Sequence, residues 1–157
     1  NPMQAETVQA IAARIWPGDA DDPGAREAGA VYYIDRALAG PYADHLVTYV
    51  TALEQIDAAA NSAHGSDFAY LDEAQQDAML TSLSRGELRG VSGGQAFFNL
   101  VRTHTMEGVF SDPIYGGNRD FVGWKAVGYP GPFYFISIEE QQSFEPLNMP
   151  YQSIVDL

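Results

Sequence analysis

Cysteine is absent from the sequence. That excludes disulfides, thiolate nucleophiles and thiolate metal sites, including an iron–sulfur cluster held by this chain's own residues. Basic residues are scarce: eight Lys and Arg stand against 21 Asp and Glu, for a net charge of −13. Such a field repels polyanions, which excludes nucleic acid and an anionic membrane surface as partners. Lysine occurs once, at Lys125, and every other basic residue is an arginine, a side chain suited to fixed ion pairs. No apolar run approaches the roughly 18–20 residues that cross a bilayer, so no direct membrane span is expected. Glycine-rich dinucleotide and phosphate loops are missing, as is a Gly-x-Ser-x-Gly elbow. A cofactor or a catalytic residue in this chain is therefore not expected.

What is present describes one domain over 1–157. The hydrophobic fraction is 46%, in the globular range, and a chain of 157 residues buries roughly 68–70% of its unfolded surface. Val8, Ile11, Ala12 and Ile15 repeat at helical spacing until Trp16-Pro17-Gly18 stops them. An acidic loop follows, then a helix over 24–39 with Val31, Ile34 and Leu38 on one stripe. Gly40-Pro41 punctuates it. A third helix is expected over 42–60 with Leu46, Tyr49, Val50, Leu53 and Ile56 inward, followed by a polar loop over 61–68. Asp72 is placed to cap a fourth helix whose apolar side is Met79, Leu80 and Leu83. Phe97, Phe98, Leu100 and Val101 face several ways in a fifth helix over 95–108, which makes it central. From Ser111 the texture changes to Gly, Pro, Asn and aromatics. The expected fold is mainly α: about five helices within 1–110, then a long irregular wrapping segment over 111–157 with one short strand at 133–138.

Few residues offer chemistry. Asp19, Asp21 and Gly24 imitate the start of a calcium loop, but Pro23 and Ala30 stand where ligands are required, so the loop reads as an acidic turn before a helix. His104 and Glu107 lie three apart in reversed order for a di-iron motif, with no second copy. His45 and His64 are isolated. All three histidines read as satisfied or exposed side chains. The segment 111–131 is richer. Asp112-Pro113 favours a turn, and Gly116, Gly117 and Asn118 tolerate positive φ. Arg119 stands between Asp112 and Asp120 for a local ion pair. Tyr115, Trp124 and Tyr129 supply the half-polar aromatic surface enriched at interfaces. On the residues alone, these aromatics equally cover a helical core or face a partner.

The segment also carries a pattern. Thr103-His104-Thr105, Glu107-Gly108, Phe110-Ser111-Asp112-Pro113, Tyr115-Gly116-Gly117-Asn118-Arg119-Asp120, Gly123-Trp124-Lys125 and Gly128-Tyr129-Pro130-Gly131 together resemble the gluconate 2-dehydrogenase subunit 3 family. Ile15-Trp16-Pro17-Gly18, Pro23-Gly24-Ala25 and Tyr33-Ile34-Asp35 fit it too, so the likeness covers nearly the whole chain. The resemblance implies a non-catalytic small subunit that binds, stabilises and escorts for export the large subunit of a sugar, polyol or glucoside dehydrogenase. It implies FAD, and often an iron–sulfur cluster, in that large subunit, and haem c in a cytochrome c subunit. It also implies a periplasmic location reached with a twin-arginine signal; that signal is not in this sequence, which opens on Asn1. The family supplies no catalytic residues. The partner-facing residues expected here are Asp112, Tyr115, Asn118, Arg119, Asp120, Trp124, Lys125 and Tyr129. Two other readings are a carbohydrate-binding module stacking sugars on Trp124, Tyr115 and Tyr129, and a stand-alone sugar-modifying enzyme.

Overall fold

The computed structural model describes residues 1–132, 136–144 and 149–157. Helix α1 spans Pro2–Ile15. Asn1 caps it by accepting the Gln4 amide at 3.0 Å, while Pro2 takes the first helical position, where a missing N–H costs nothing. The chain then turns through 16–24. Here the Asp19 carboxylate accepts the amides of Asp21 and Asp22 at 2.8 and 2.9 Å, holding its own loop together.

The single helix expected over 24–39 is two pieces. A helical turn over 25–28 ends at Gly29, whose φ is +69°. The Ala30 amide reaches back to the Ala25 carbonyl and the Gly29 amide to that of Arg26, the bond pair of a Schellman cap. Helix α2, Ala30–Leu38, starts immediately after it. A 3₁₀ turn, Ala43–His45, leads into α3, Leu46–His64. This helix runs through the start of the loop expected over 61–68 and stops at Gly65, which is left-handed. Tyr49, Leu53 and Ile56 point inward as expected, but Leu46 is 48% exposed, because the first turn of α3 is left uncovered.

Asp72 does cap α4, Glu73–Ser84, in a reciprocal pair with Gln75. Met79, Leu80 and Leu83 are buried. Arg14 ties α1 to α4, with Nε 2.7 Å from Asp77 and Nη1 2.8 Å from Glu73. Helix α5, Gly94–Phe110, is the central element and packs against α1, α2, α3 and α4. The main core gathers Ile11, Ile34, Tyr49, Ile56, Phe68, Leu83, Phe97 and Val101 around it. A second cluster consists of Ala12, Ala25, Ala28, Ala30 and Val109, and these small side chains bring α2 close to the end of α5.

The segment after 110 is not structureless. It holds 3₁₀ turns at Pro113–Tyr115 and Arg119–Phe121, the short helices α6, Val122–Val127, and α7, Ile138–Gln142, and a last 3₁₀ turn at Ile154–Asp156. Of the expected strand, residues 133–135 lie outside the described residues. Ile136 and Ser137 are irregular, and Ile138 opens α7 with Ser137 as its cap. The fold is mainly α, with no strand among the described residues.

Candidate functional site

A helix ends with backbone carbonyls that have no partner inside it. At the end of α5 the following segment supplies partners. The Ser111 amide takes the Glu107 carbonyl at 2.7 Å, and the Asn118 amide takes that of Gly108 at 2.7 Å. The indole Nε1 of Trp124 donates to the Phe110 carbonyl at 2.8 Å. Asn118, fully buried, then bridges the loop: its Nδ2 donates to the Ser111 carbonyl at 2.9 Å, and its Oδ1 accepts the Gly123 amide at 2.9 Å. Residues 111–124 thus fold as an extended cap on the central helix.

This cap needs close backbone approach. A Cβ on Gly117 would lie 2.0 Å from the Gly108 carbonyl oxygen. Gly117 is therefore required for space, whereas the residues with positive φ nearby are Gly116, Asn118, Asp120 and Phe121. Asn and Asp tolerate that region; Phe121 at +57° is a genuine outlier, costing about 1–3 kcal/mol. Its ring is held between Trp124, 5.5 Å away, and Tyr151, 6.0 Å away.

The eight residues expected to face a partner divide. Asn118 and Trp124, the latter 4% exposed, are interior and build the loop. Asp112 anchors the C-terminal tail: its carboxylate accepts the Ser153 hydroxyl at 2.5 Å and the Ile154 and Ile114 amides at 2.9 and 3.0 Å. Burial opposes ionisation of Asp112, but these hydrogen bonds outweigh it and hold its pKa below the ordinary value. Arg119 does not form the expected ion pair; the ion pairs among the described residues belong to Arg14. Its guanidinium lies 3.6 Å from the Tyr32 ring centroid, its amide donates to the Ala28 carbonyl at 3.0 Å, and its side chain crosses Gly29. Tyr115, Asp120, Lys125 and Tyr129 are exposed, with the Lys125 ammonium 5.8 Å from the Tyr151 ring.

A second arrangement lies beside the cap. The His104 ring is buried between two tyrosines, stacked on Tyr42 at 4.6 Å and parallel to Tyr49 at 5.8 Å, with the Tyr49 hydroxyl 2.9 Å from Nδ1. His45 is 5.7 Å from His104, so it is not isolated. Burial pushes the His104 pKa below its ordinary value. One turn on, the Glu107 carboxylate accepts the hydroxyls of Tyr33 at 3.0 Å and Tyr42 at 3.3 Å. Burial first, then Glu107, raises the Tyr33 pKa, so this phenol remains a donor. Tyr33, Tyr42 and Glu107 border a groove of about 820 Å³ that continues along Arg36, Phe110, Ile114 and Tyr115.

The family model described as Gluconate 2-dehydrogenase subunit 3 matches residues 2–131. The chain belongs to the gluconate 2-dehydrogenase subunit 3 family. Membership makes it an accessory subunit of a dehydrogenase complex and implies a partner subunit. No curated protein and no solved structure matches the chain significantly. The gluconate 2-dehydrogenase subunit 3 match includes the helical part, the groove and the cap, and it stops where the C-terminal tail begins. At that boundary the tail folds back: the Gln152 amide donates to the Pro130 carbonyl at 3.0 Å, and a Cβ on Gly131 would lie 2.1 Å from the Gln152 carbonyl oxygen.

Proposed function

We propose that this chain is the non-catalytic small subunit that binds, stabilises and escorts for export the FAD-containing large subunit of a sugar, polyol or glucoside dehydrogenase. In this reading FAD, and an iron–sulfur cluster where there is one, belong to the large subunit. A cytochrome c subunit carries haem c, and the assembly works in the periplasm. Family membership supports the accessory role. The observation that carries the binding role is the exposed apolar surface after residue 126. Val127, Ile138, Ile154 and Val155 are all more than half exposed, and Phe144 is wholly so. Exposed apolar side chains gathered in one stretch of a chain whose core is otherwise well buried support an association role.

The carbohydrate-binding alternative loses its main platform, because Trp124 is buried. The deciding experiment is co-expression with an FAD-dependent dehydrogenase large subunit from the same genome. The large subunit is expected to copurify with this chain, and to fall in soluble, exported amount when this chain is omitted. A large subunit that is soluble, active and exported alone refutes the proposal.

A further inference from the structure

The groove between α2 and α5 is where a carboxylate, aromatic faces and open apolar space meet. Its volume of about 820 Å³ falls in the roughly 300–1,000 Å³ range of ligand sites and admits a short run of peptide. Glu107 stands half-buried in its wall. Both its carboxylate oxygens are engaged by neutral phenols, and none of the ion pairs among the described residues includes it. The neighbouring His104 is turned to Tyr49, its Nδ1 2.9 Å from the phenol oxygen. Arg36 lines the same groove, but its Nη1 is directed to the Ile114 carbonyl at 3.3 Å. Ser111 also borders it, and its buried hydroxyl has no hydrogen-bond partner. The rim, Ile114 and Tyr115, is 38% and 56% exposed.

A carboxylate flanked by tyrosine rings is the donor set that receives an ammonium or guanidinium. Coulomb attraction acts in a partly dry wall, and the ring faces add cation–π attraction. The chain's net charge of −13 steers a cationic partner towards it. We propose that this groove seats an apolar segment of the large subunit that carries a lysine or arginine, with the cation placed on Glu107 beside Tyr33 and Tyr42. The proposal rests on the reading of this chain as an accessory subunit. It adds where the large subunit is gripped and by what chemistry.

The test uses the co-expressed complex with the large subunit as the probe. Dissociation constants are measured for the wild type, Glu107→Gln and Tyr115→Ala at low and high salt. Glu107→Gln is expected to weaken binding about tenfold or more at low salt and to flatten the salt dependence. Tyr115→Ala lies on the exposed rim, leaves the fold unchanged and is expected to weaken binding several-fold with the salt dependence retained. A photo-crosslinking residue at position 115 is expected to capture a large-subunit peptide that contains Lys or Arg. If the wild type does not bind the large subunit, the accessory-subunit reading itself fails. If the wild type binds and both variants bind equally well, the groove is not the grip. If Glu107→Gln is misfolded by circular dichroism, the rim variant and the crosslink decide: an unaffected affinity, or a captured peptide without a basic residue, overturns the proposal.

Discussion

The helical part, 1–110, and the segment after it are held by different forces. The first is stabilised by large apolar side chains, with Ile11, Ile56, Phe68, Leu83 and Val101 at 0% exposure. In the second, Trp124 is the one large apolar side chain that is buried among the described residues, although this shorter segment carries most of the exposed ones. Backbone and side-chain hydrogen bonds hold it to the end of α5, in places too narrow for a Cβ. The first region hides its apolar surface, and the second displays it. A scaffold and a docking surface thus coexist in one small domain, because hydrogen bonding supplies order without consuming apolar area.

The sharpest way to break this contrast is to cut each part at its own anchor. Leu83→Ala opens a cavity in the main core and is expected to cost about 2–5 kcal/mol, read as a lowered midpoint of the whole thermal transition. A loss confined to the C-terminal segment would reverse the assignment of roles. Asn118→Ala orphans the Ser111 carbonyl and the Gly123 amide, an expected cost of about 1–3 kcal/mol. Hydrogen exchange should speed up over 111–131 and leave α1 to α4 protected; uniform loss of protection would show that the two parts melt as one.

Two pH experiments probe smaller terms. Folded His104 has a pKa below the unfolded value of about 6.5, so on acidification the unfolded chain takes up a proton first. Its contribution is complete above the unfolded pKa and declines as pH falls from there towards the folded pKa. His104→Phe should flatten the fall in stability below about pH 6.5, by no more than about 1.4 kcal/mol per pH unit. An unchanged slope in denaturant titrations would place the pH sensitivity elsewhere. The smallest effect concerns Asp112, whose carboxyl is depressed in the fold. Its anchoring of the tail is present above the unfolded pKa of about 3.9 and fades as pH falls through the folded value. Asp112→Asn should make the tail susceptible to protease at neutral pH with almost no change in melting midpoint. A tail that stays resistant would assign its order to the contacts of Gln152 instead.

What the sequence disclosed followed the reach of its signals. The five helices were legible because apolar spacing and a local cap such as Asp72 act within a few residues. The break at Gly29 was not, since the surrounding alanines give no punctuation and the Gly29 turn receives Arg119 from far along the chain. The glycine-shaped loop was recognised, but Gly117 was given the wrong reason: its neighbour is the Gly108 carbonyl, which no local pattern announces. The groove was the larger omission. Tyr33, Tyr42 and Tyr49 come from separate elements with no fixed spacing to His104 and Glu107, and only packing unites them.

The sequence has two tryptophans, and both converge on one residue. The Trp16 ring meets the Phe110 ring edge-on at 5.1 Å, while Trp124 bonds to the Phe110 carbonyl. Intrinsic fluorescence of this chain therefore samples a single spot, where the exit of α1, the last turn of α5 and the loop come together beside the groove. Emission excited at the indole band becomes a label-free optical gauge of that junction, responsive both to a slackened loop and to a segment entering the groove past Phe110.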